Sequence, residues 1–355
     1  MSETIERLET EPVVPAAART MEHLASAASL PRERADWLVD EHSARRRRKP
    51  LVAVLIPCFN EEAAIGKAVN DFRVALPEAA VYVYDNNSTD HTMTMARAAG
   101  AEVRSEKLQG KGHVVRRMFA DIDADIYVLV DGDDTYDANA AAGMTHLLVE
   151  RRLDMVCAAR VSPEATAYRL GHRFGNAVLS GMVRHVFGGG VSDLLSGYRV
   201  FSRRFVKSFP ALAGGFETET EFTVHALALN MPVGEVRAAY RSRPAGSRSK
   251  LNTIADGLRI LREIVTLIEQ ERPLPFFATV MAILLAASLS FGLPVIGHYF
   301  HTGLVDRLPT AVLSASLVLL AFLSLGCGLM LDAVSRGRKE LKRLAYLAIP
   351  TMPGW

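Results

Sequence analysis

The stretch that decides the fold is IYVLVDGDDTY, residues 126–136. Ile126 to Val130 are apolar and mostly β-branched or aromatic, the pattern of a buried strand. The polarity then inverts, and Asp131, Asp133 and Asp134 crowd into four residues. Carboxylates this close repel one another unless a cation sits among them. A divalent ion with oxygen ligands is the natural partner; a solvated acidic turn is the plainer alternative. In an open α/β sheet, ligands bind at the carboxyl ends of the strands, which is where these aspartates would stand.

The same rhythm extends on both sides. Upstream, strands are expected at 51–57, 81–84 and 101–104, each followed by a helical stretch, at 61–75, 90–99 and 111–122. Downstream come a helix near 138–151 and a strand at 154–158. Alternation of this kind predicts an α/β domain, a Rossmann-like and mostly parallel sheet covered on both faces, over residues 51–250. Before it, residues 1–50 are expected to be a helical extension, with helices around Met21 to Leu30 and Arg32 to His42, that ends in the basic run Arg45 to Lys49, either a solvated linker or a contact for anionic lipid.

The second half of the chain differs in kind. Residues 168–187 carry Leu170, Phe174, Val178, Met182 and Val186 four apart, with Arg169, Arg173 and Arg184 among them. Residues 251–272 repeat the design, with Ile254, Leu258, Leu261, Val265 and Ile268 on one stripe. Such helices lie either in a membrane interface or against the sheet. Residues 273–305 contain no Lys, Arg, Asp or Glu, and 308–331 are uncharged again. About 20 apolar residues cross a bilayer, so two spans are expected within 273–332. The tail, 333–355, carries Arg336, Arg338, Lys339, Lys342 and Arg343. The positive-inside rule places it in the cytoplasm, and two spans put the catalytic domain on the same side of a bacterial-type inner membrane. The charged N-terminus MSETIERLETEP has no apolar core, so no cleaved signal peptide is expected. A formal net charge of +2 gives no reason to expect nucleic acid as a partner. The three cysteines, Cys58, Cys157 and Cys327, are too scattered for a disulfide framework or a zinc site.

Polar or glycine-rich turns close the expected strands: Pro57-Cys58-Phe59-Asn60-Glu61-Glu62, Asp85-Asn86-Asn87-Ser88-Thr89-Asp90 and Gly110-Lys111-Gly112. On one sheet edge they can read a base, a ribose and a diphosphate. No GxGxxG follows a strand, and Lys111 is followed by Gly rather than Ser or Thr, which disfavours dinucleotide and P-loop folds. In order and spacing, PCFNEE, YDNNSTDHT, GKG and DGDD resemble the GT-A glycosyltransferases of family 2. Asp193 to Arg199 (DLLSGYR), Gly215 to Glu219 (GFETE) and Arg243 to Leu251 (RPAGSRSKL) are similar to segments of the polyprenyl-phosphate sugar synthases, the group of dolichol-phosphate mannose synthase and bactoprenol glucosyltransferase.

The resemblance implies a metal-dependent, inverting hexosyltransferase that moves a sugar from a UDP-sugar or GDP-mannose to a polyprenyl phosphate. By matched position, Pro57, Phe59 and Glu61 would line the nucleoside, with Glu61 on the ribose, and Asp85 and Asn86 would flank the base. Lys111 would join the nucleotide site. Asp131 and Asp133 would hold Mg2+ or Mn2+, with Asp134, Thr135 or water as the third ligand. Asp193 would orient the acceptor or help deprotonate it, and Arg243 and Lys250 would close over the diphosphate. Arg169, Arg173, Arg184, Ser196 and Arg199 would meet the acceptor phosphate, with Arg199 equally suited to a structural ion pair. Membrane lipid is an expected partner, and a homo-oligomer is compatible with this reading. The alternatives are transfer to a protein or saccharide hydroxyl, which needs a clear base, and a non-catalytic binding subunit. Neither Gln109 nor Gln270 begins the QxxRW motif of processive synthases.

Overall fold

The computed structural model describes residues 49–161, 180–189, 191–215, 217–244, 253–350 and 352. The N-terminal extension up to Arg48, and Arg169, Arg173 and Lys250, lie outside the described residues. In chain order come β1 (Val52–Cys58), α1 (Ile65–Ala75), β2 (Ala80–Asp85), α2 (Thr92–Ala98), β3 (Glu102–Ser105), α3 (Lys111–Asp121), β4 (Ile126–Leu129), α4 (Ala140–Glu150) and β5 (Met155–Val161). A helical segment, 180–187, leads to β6 (Arg199–Ser202), α5 (Arg203–Ser208), α6 (Thr218–Ala228) and β7 (Val233–Ala239). Three long helices follow, α7 (Thr253–Glu271), α8 (Pro273–Thr302) and α9 (Leu308–Leu347).

The described strands form one seven-stranded sheet in the order β3-β2-β1-β4-β6-β5-β7. Its first half is parallel. The strand β6 runs antiparallel between β4 and β5, and β7 pairs parallel to β5. Strand residues alternate between two buried layers, as the period of two requires. Val54, Ile56, Ile126, Val128 and Val156 enter one layer with α1 and α4. Ala53, Leu55, Tyr127, Leu129 and Met155 enter the other with α3, α5 and α6. Both faces are covered, which explains why these strands read as continuous apolar runs.

His225 on α6 is buried between the Phe205 and Phe209 rings, and its Nε2 lies 3.3 Å from Ser208 Oγ. Burial pushes its pKa down to about 3. The unfolded chain therefore binds a proton there near the ordinary value of 6.5, whereas the folded chain stays neutral. Stability is complete above that value and is lost as pH falls toward 3. Between pH 7 and pH 5 the loss from this group should be about 2 kcal/mol. Thermal or urea midpoints at both pH values, for wild type and His225→Gln, check it; the variant should show a flatter dependence.

The inner side of α7 sets Ile260, Ile264 and Leu267 against Val183, Phe187, Leu194 and Val224. Leu261 and Val265 of the expected stripe are exposed, so the helix has a second apolar row that faces outward. Pro273 and Pro309 sit in the first turns of α8 and α9, and α8 ends at Gly303 with φ of 70°. Both helices are long and apolar enough to cross a membrane, with 11% of each apolar window buried. They associate through small residues: Ser288 and Ser314 each donate a side-chain hydrogen bond to the other's carbonyl, and Gly292 lies against Ser314. The basic stretch after the second span is not a separate tail, because α9 continues unbroken to Leu347. The described residues from Pro50 to Met352 form one unit by their contacts.

Candidate active site

Every parallel strand delivers its carboxyl end to one edge. There the β1 and β2 turns hold each other. The Asn60 N–H donates to Ser88 Oγ at 2.8 Å, and the Thr89 N–H donates to Asn60 Oδ1 at 2.7 Å. The Glu61 N–H donates to Thr92 Oγ1 at 2.8 Å. Asn60, Asn87 and Asp134 adopt positive φ of 52°, 65° and 56°, a region that Asn and Asp tolerate best among residues with a Cβ. These three residues lie in turns of this edge, so its backbone shape is set by the residues of the turns themselves. Pro57 and Phe59 lie half-buried at the end of β1.

Asp85 is 3% exposed; its Oδ2 accepts from the Ser88 N–H, and its Oδ1 is buried without a hydrogen-bond partner. Such an atom awaits a donor. Asn86 differs from its expected role. Its Nδ2 donates to Glu106 O and Leu108 O, and its Oδ1 accepts from the Gly110 N–H. The side chain is consumed in bracing the loop before α3, so Asp85 alone of the pair offers an unmet group to a base.

Arg243 and Lys111 flank Asp133 and Asp131 of the acidic turn. Arg243 places Nη2 2.6 Å from Asp133 Oδ2 and Nη1 3.3 Å from Glu61 Oε1. Its segment is tied to the turn, since the Arg241 N–H donates to Thr135 O and Tyr240 bridges to Tyr136. Lys111 Nζ contacts Asp131 Oδ1 and lies 2.5 Å from Glu219 Oε1. Burial opposes its charge, but the two carboxylates outweigh it and hold the pKa above the ordinary lysine value. Burial and the Asp131 charge push Asp133 upward, against the pull of Arg243. Burial likewise raises Glu219, whose Oε2 has no hydrogen-bond partner.

The third ligand position resolves differently from either side-chain expectation. Asp134 turns to Lys67, 2.9 Å away. The Thr135 hydroxyl donates to Asp133 Oδ1 at 2.6 Å, so it orients that carboxylate. Asp131 and Asp133 remain, all-oxygen donors that suit Mg2+ or Mn2+ when substrate phosphates and water complete the shell. Among the described residues no group of three or more His, Cys, Asp or Glu forms a metal cluster.

The DLLSGYR segment also departs from expectation. Arg199 is fully buried; it donates to Ser196 O, Leu194 O and Thr223 Oγ1 and lies over the Phe222 ring. The Ser196 hydroxyl, also buried, donates to Ala158 O. Neither side chain faces the sheet edge; both brace the loop that carries Asp193 and Gly197. Arg184 is exposed on segment 180–187. Asp193 accepts a two-pronged ion pair from Arg160, at 2.7 and 2.8 Å, together with the Arg160 N–H. Its carboxylate orients an arginine, which leaves it poorly placed to act as a base.

Sequence reasoning passed over Arg160, which ends an apolar run and so reads as an ordinary strand terminus. Register places Leu129, Arg199 and Cys157 in one row across β4, β6 and β5. Asp131 lies two residues beyond that row and Arg160 three, so both emerge at the same edge with one strand between them. Glu219, quoted only as part of a helix start, turns out to be the second carboxylate on Lys111.

Gly197 closes the site from above. A Cβ there would lie 2.3 Å from Asp131 Oδ2 and 3.0 Å from Lys111 Nζ. Gly197→Ala must displace that carboxylate, and a misplacement of this order should cost about 10²-fold in kcat. Steady-state kinetics beside a thermal melt check it; unchanged kcat would show that the position of Asp131 is not critical.

The pattern described as glycosyl transferase family 2 matches residues 53–209. Glycosyltransferase AglJ of Haloferax volcanii is 31% identical over 306 residues, which cover 83% of this chain and 98% of that protein. A dolichyl-phosphate hexose transferase of the same organism is 27% identical over 221 residues, 62% of this chain and 95% of that one. Among solved structures, glucosyl-3-phosphoglycerate synthase from Mycobacterium tuberculosis, in complex with Mn2+, UDP and glucosyl-3-phosphoglycerate, aligns with a TM-score of 0.51 at 22% identity. That alignment covers 61% of this chain and 80% of the other, and it shows a shared fold.

Proposed function

The chain belongs to glycosyltransferase family 2, and from that premise we propose that it transfers one sugar from a nucleotide-diphosphate donor to a membrane-borne polyprenyl phosphate. One observation carries the acceptor assignment. Arg160, held by Asp193, stands one strand from the acidic turn in a chain with two helices of membrane-crossing length. A guanidinium held in place offers a fixed positive charge to an anionic phosphate. The relative named as a dolichyl-phosphate hexose transferase supports the same acceptor class. Asp193, which the sequence offers as a base, is occupied by Arg160, and a hydroxyl acceptor would need a base. A phosphate monoester arrives already anionic and does not.

On the donor side, the unmet Asp85 oxygen would accept an N–H from the base, and Glu61 would take the ribose. Asp131 and Asp133 would hold a divalent ion, whose role when bound is to offset charge on the departing diphosphate. Arg243 and Lys111 already stand beside those carboxylates and would add positive charge there. The acceptor oxygen would attack the anomeric carbon from the Arg160 side as the diphosphate leaves, inverting that centre. The catalytic domain and the basic end of α9 would lie on the cytoplasmic side of a bacterial inner membrane.

The test is the full-length protein with polyprenyl phosphate, Mg2+ or Mn2+, and a panel of UDP- and GDP-sugars. No glycolipid with any donor would sink the proposal. Arg160→Lys, which keeps the charge but loses the two-pronged hold on Asp193 that positions it, should raise the acceptor KM by about tenfold and leave the donor KM unchanged. An unchanged acceptor KM would remove Arg160 from the site.

A further inference from the structure

We propose that α9 is a strut whose far end is latched to the catalytic domain, and that this latch sets the height of the active edge above the bilayer. The inference rests on the reading that the acceptor is held in a membrane. At about 1.5 Å per residue, the uncharged residues 308–331 span about 36 Å, enough for a hydrocarbon core of about 30 Å. Residues 332–347 continue the same helix for about 24 Å beyond it.

The emerging part is gripped at two levels. Near the membrane it clasps the end of α7. Lys342 Nζ lies 2.7 Å from Glu271 Oε1, and Lys339 Nζ lies 3.8 Å from Oε2. Arg338 donates to Gln270 O and the Ser335 hydroxyl to Glu271 O, so cations and donors cover the carbonyl end of that helix. At its tip, the Tyr346 hydroxyl donates to Asp154 Oδ2 at 2.9 Å. Arg204 of α5 lies 5.3 Å over the Tyr346 ring and donates from Nε to Ile349 O at 2.9 Å. Asp154 is 1% exposed and also accepts from the Ser202 hydroxyl. Just beyond, Met352 is 5% exposed and joins the core.

The latch lies at the end of the sheet away from the site. Asp154 directly precedes β5, and Arg160 lies near the other end of that strand. Six residues at about 3.3 Å each separate the two by about 20 Å. The tip of the helix therefore holds the domain at the start of β5, the end of that strand away from Arg160. A stiff connection of matched length raises the effective concentration of a tethered site at its target; a loose one dilutes it.

The experiment compares wild type with Tyr346→Phe/Arg204→Ala, both full length. One assay uses nanodiscs holding a long-chain polyprenyl phosphate, the other detergent with a short water-soluble prenyl phosphate. The variant should lose about tenfold in kcat/KM on the embedded acceptor and stay within about twofold on the soluble one. Amide exchange should rise over residues 344–352. Equal losses on both acceptors, no loss on either, or unchanged exchange would each overturn the strut. A wild type inert toward both acceptors would overturn the acceptor reading first, and the height role with it. Tyr346→Phe alone, which removes one hydroxyl, gives the same contrast should the double variant fold poorly.

Discussion

Asp133→Asn is expected to reduce kcat by about 10³-fold while the protein remains folded. The side chain is isosteric, so the packing that leaves this residue 4% exposed survives. Its remaining oxygen still accepts from the Thr135 hydroxyl. What disappears is the negative charge that Arg243 meets at 2.6 Å and that a divalent ion would meet during turnover. Burial already raises the pKa of this carboxyl, so the apo fold loses little when the charge is removed. The cost falls on the reaction, where the departing diphosphate needs its counter-charge in place. Two measurements separate the causes: turnover across a Mn2+ titration, and Mn2+ affinity in the presence of nucleotide by electron paramagnetic resonance. Activity like wild type would show that the metal, if used, is held elsewhere.

Lys111→Met is the substitution with the largest expected effect on stability, a loss of about 3–5 kcal/mol. The Lys111 side chain is 8% exposed and joins Asp131 to Glu219, whose side chain is 5% exposed. Removing the cation leaves a buried carboxylate without its partner, and proton uptake is the only local relief. Glu219 already titrates above its ordinary value because of burial. Without Lys111 it rises further, so the folded variant holds a proton that the unfolded chain releases. The variant should therefore be most impaired at alkaline pH and recover as pH falls through the raised value. Adding Glu219→Gln should restore much of the loss, a coupling that a double-mutant cycle measures. Thermal midpoints of the four proteins at pH 5 and pH 8 decide it; additive losses would show that the pair does not act as a unit.

The parallel half of the sheet was legible because strands covered on both faces must be apolar throughout, and β1, β2 and β4 are. The short β6 and the amphipathic β7 carry no such run; β6 hid inside GYRVFS, a segment that reads as a motif rather than as a strand. The acidic turn was legible because charge crowding needs no partner to be seen. Asn86 and Ser196 turn away from their expected roles, and Arg199 takes the structural one of its two, for a common reason: a motif gives residue type but not direction. On β6, Arg199 has the parity of Phe201, and both meet Phe222 on the helix-covered face. Arg160 went unseen because its importance comes from Asp193, 33 residues away.

The antiparallel strand between β4 and β5 has a further consequence: it works as a ruler. Adjacent strands lie about 4.8 Å apart, so interposing one sets the β4 and β5 termini about 10 Å from each other. Direct pairing of β4 with β5 would halve that gap and bring Arg160 up against the acidic turn. The spacing of two strands separates the backbone that carries Arg160 from the backbone that carries the acidic turn. Because hydrogen-bonded strands cannot slide sideways, that backbone spacing does not depend on the side chains at the edge. Exchanging side chains at this edge therefore changes the chemistry across the gap and leaves the distance between the two backbones as it is.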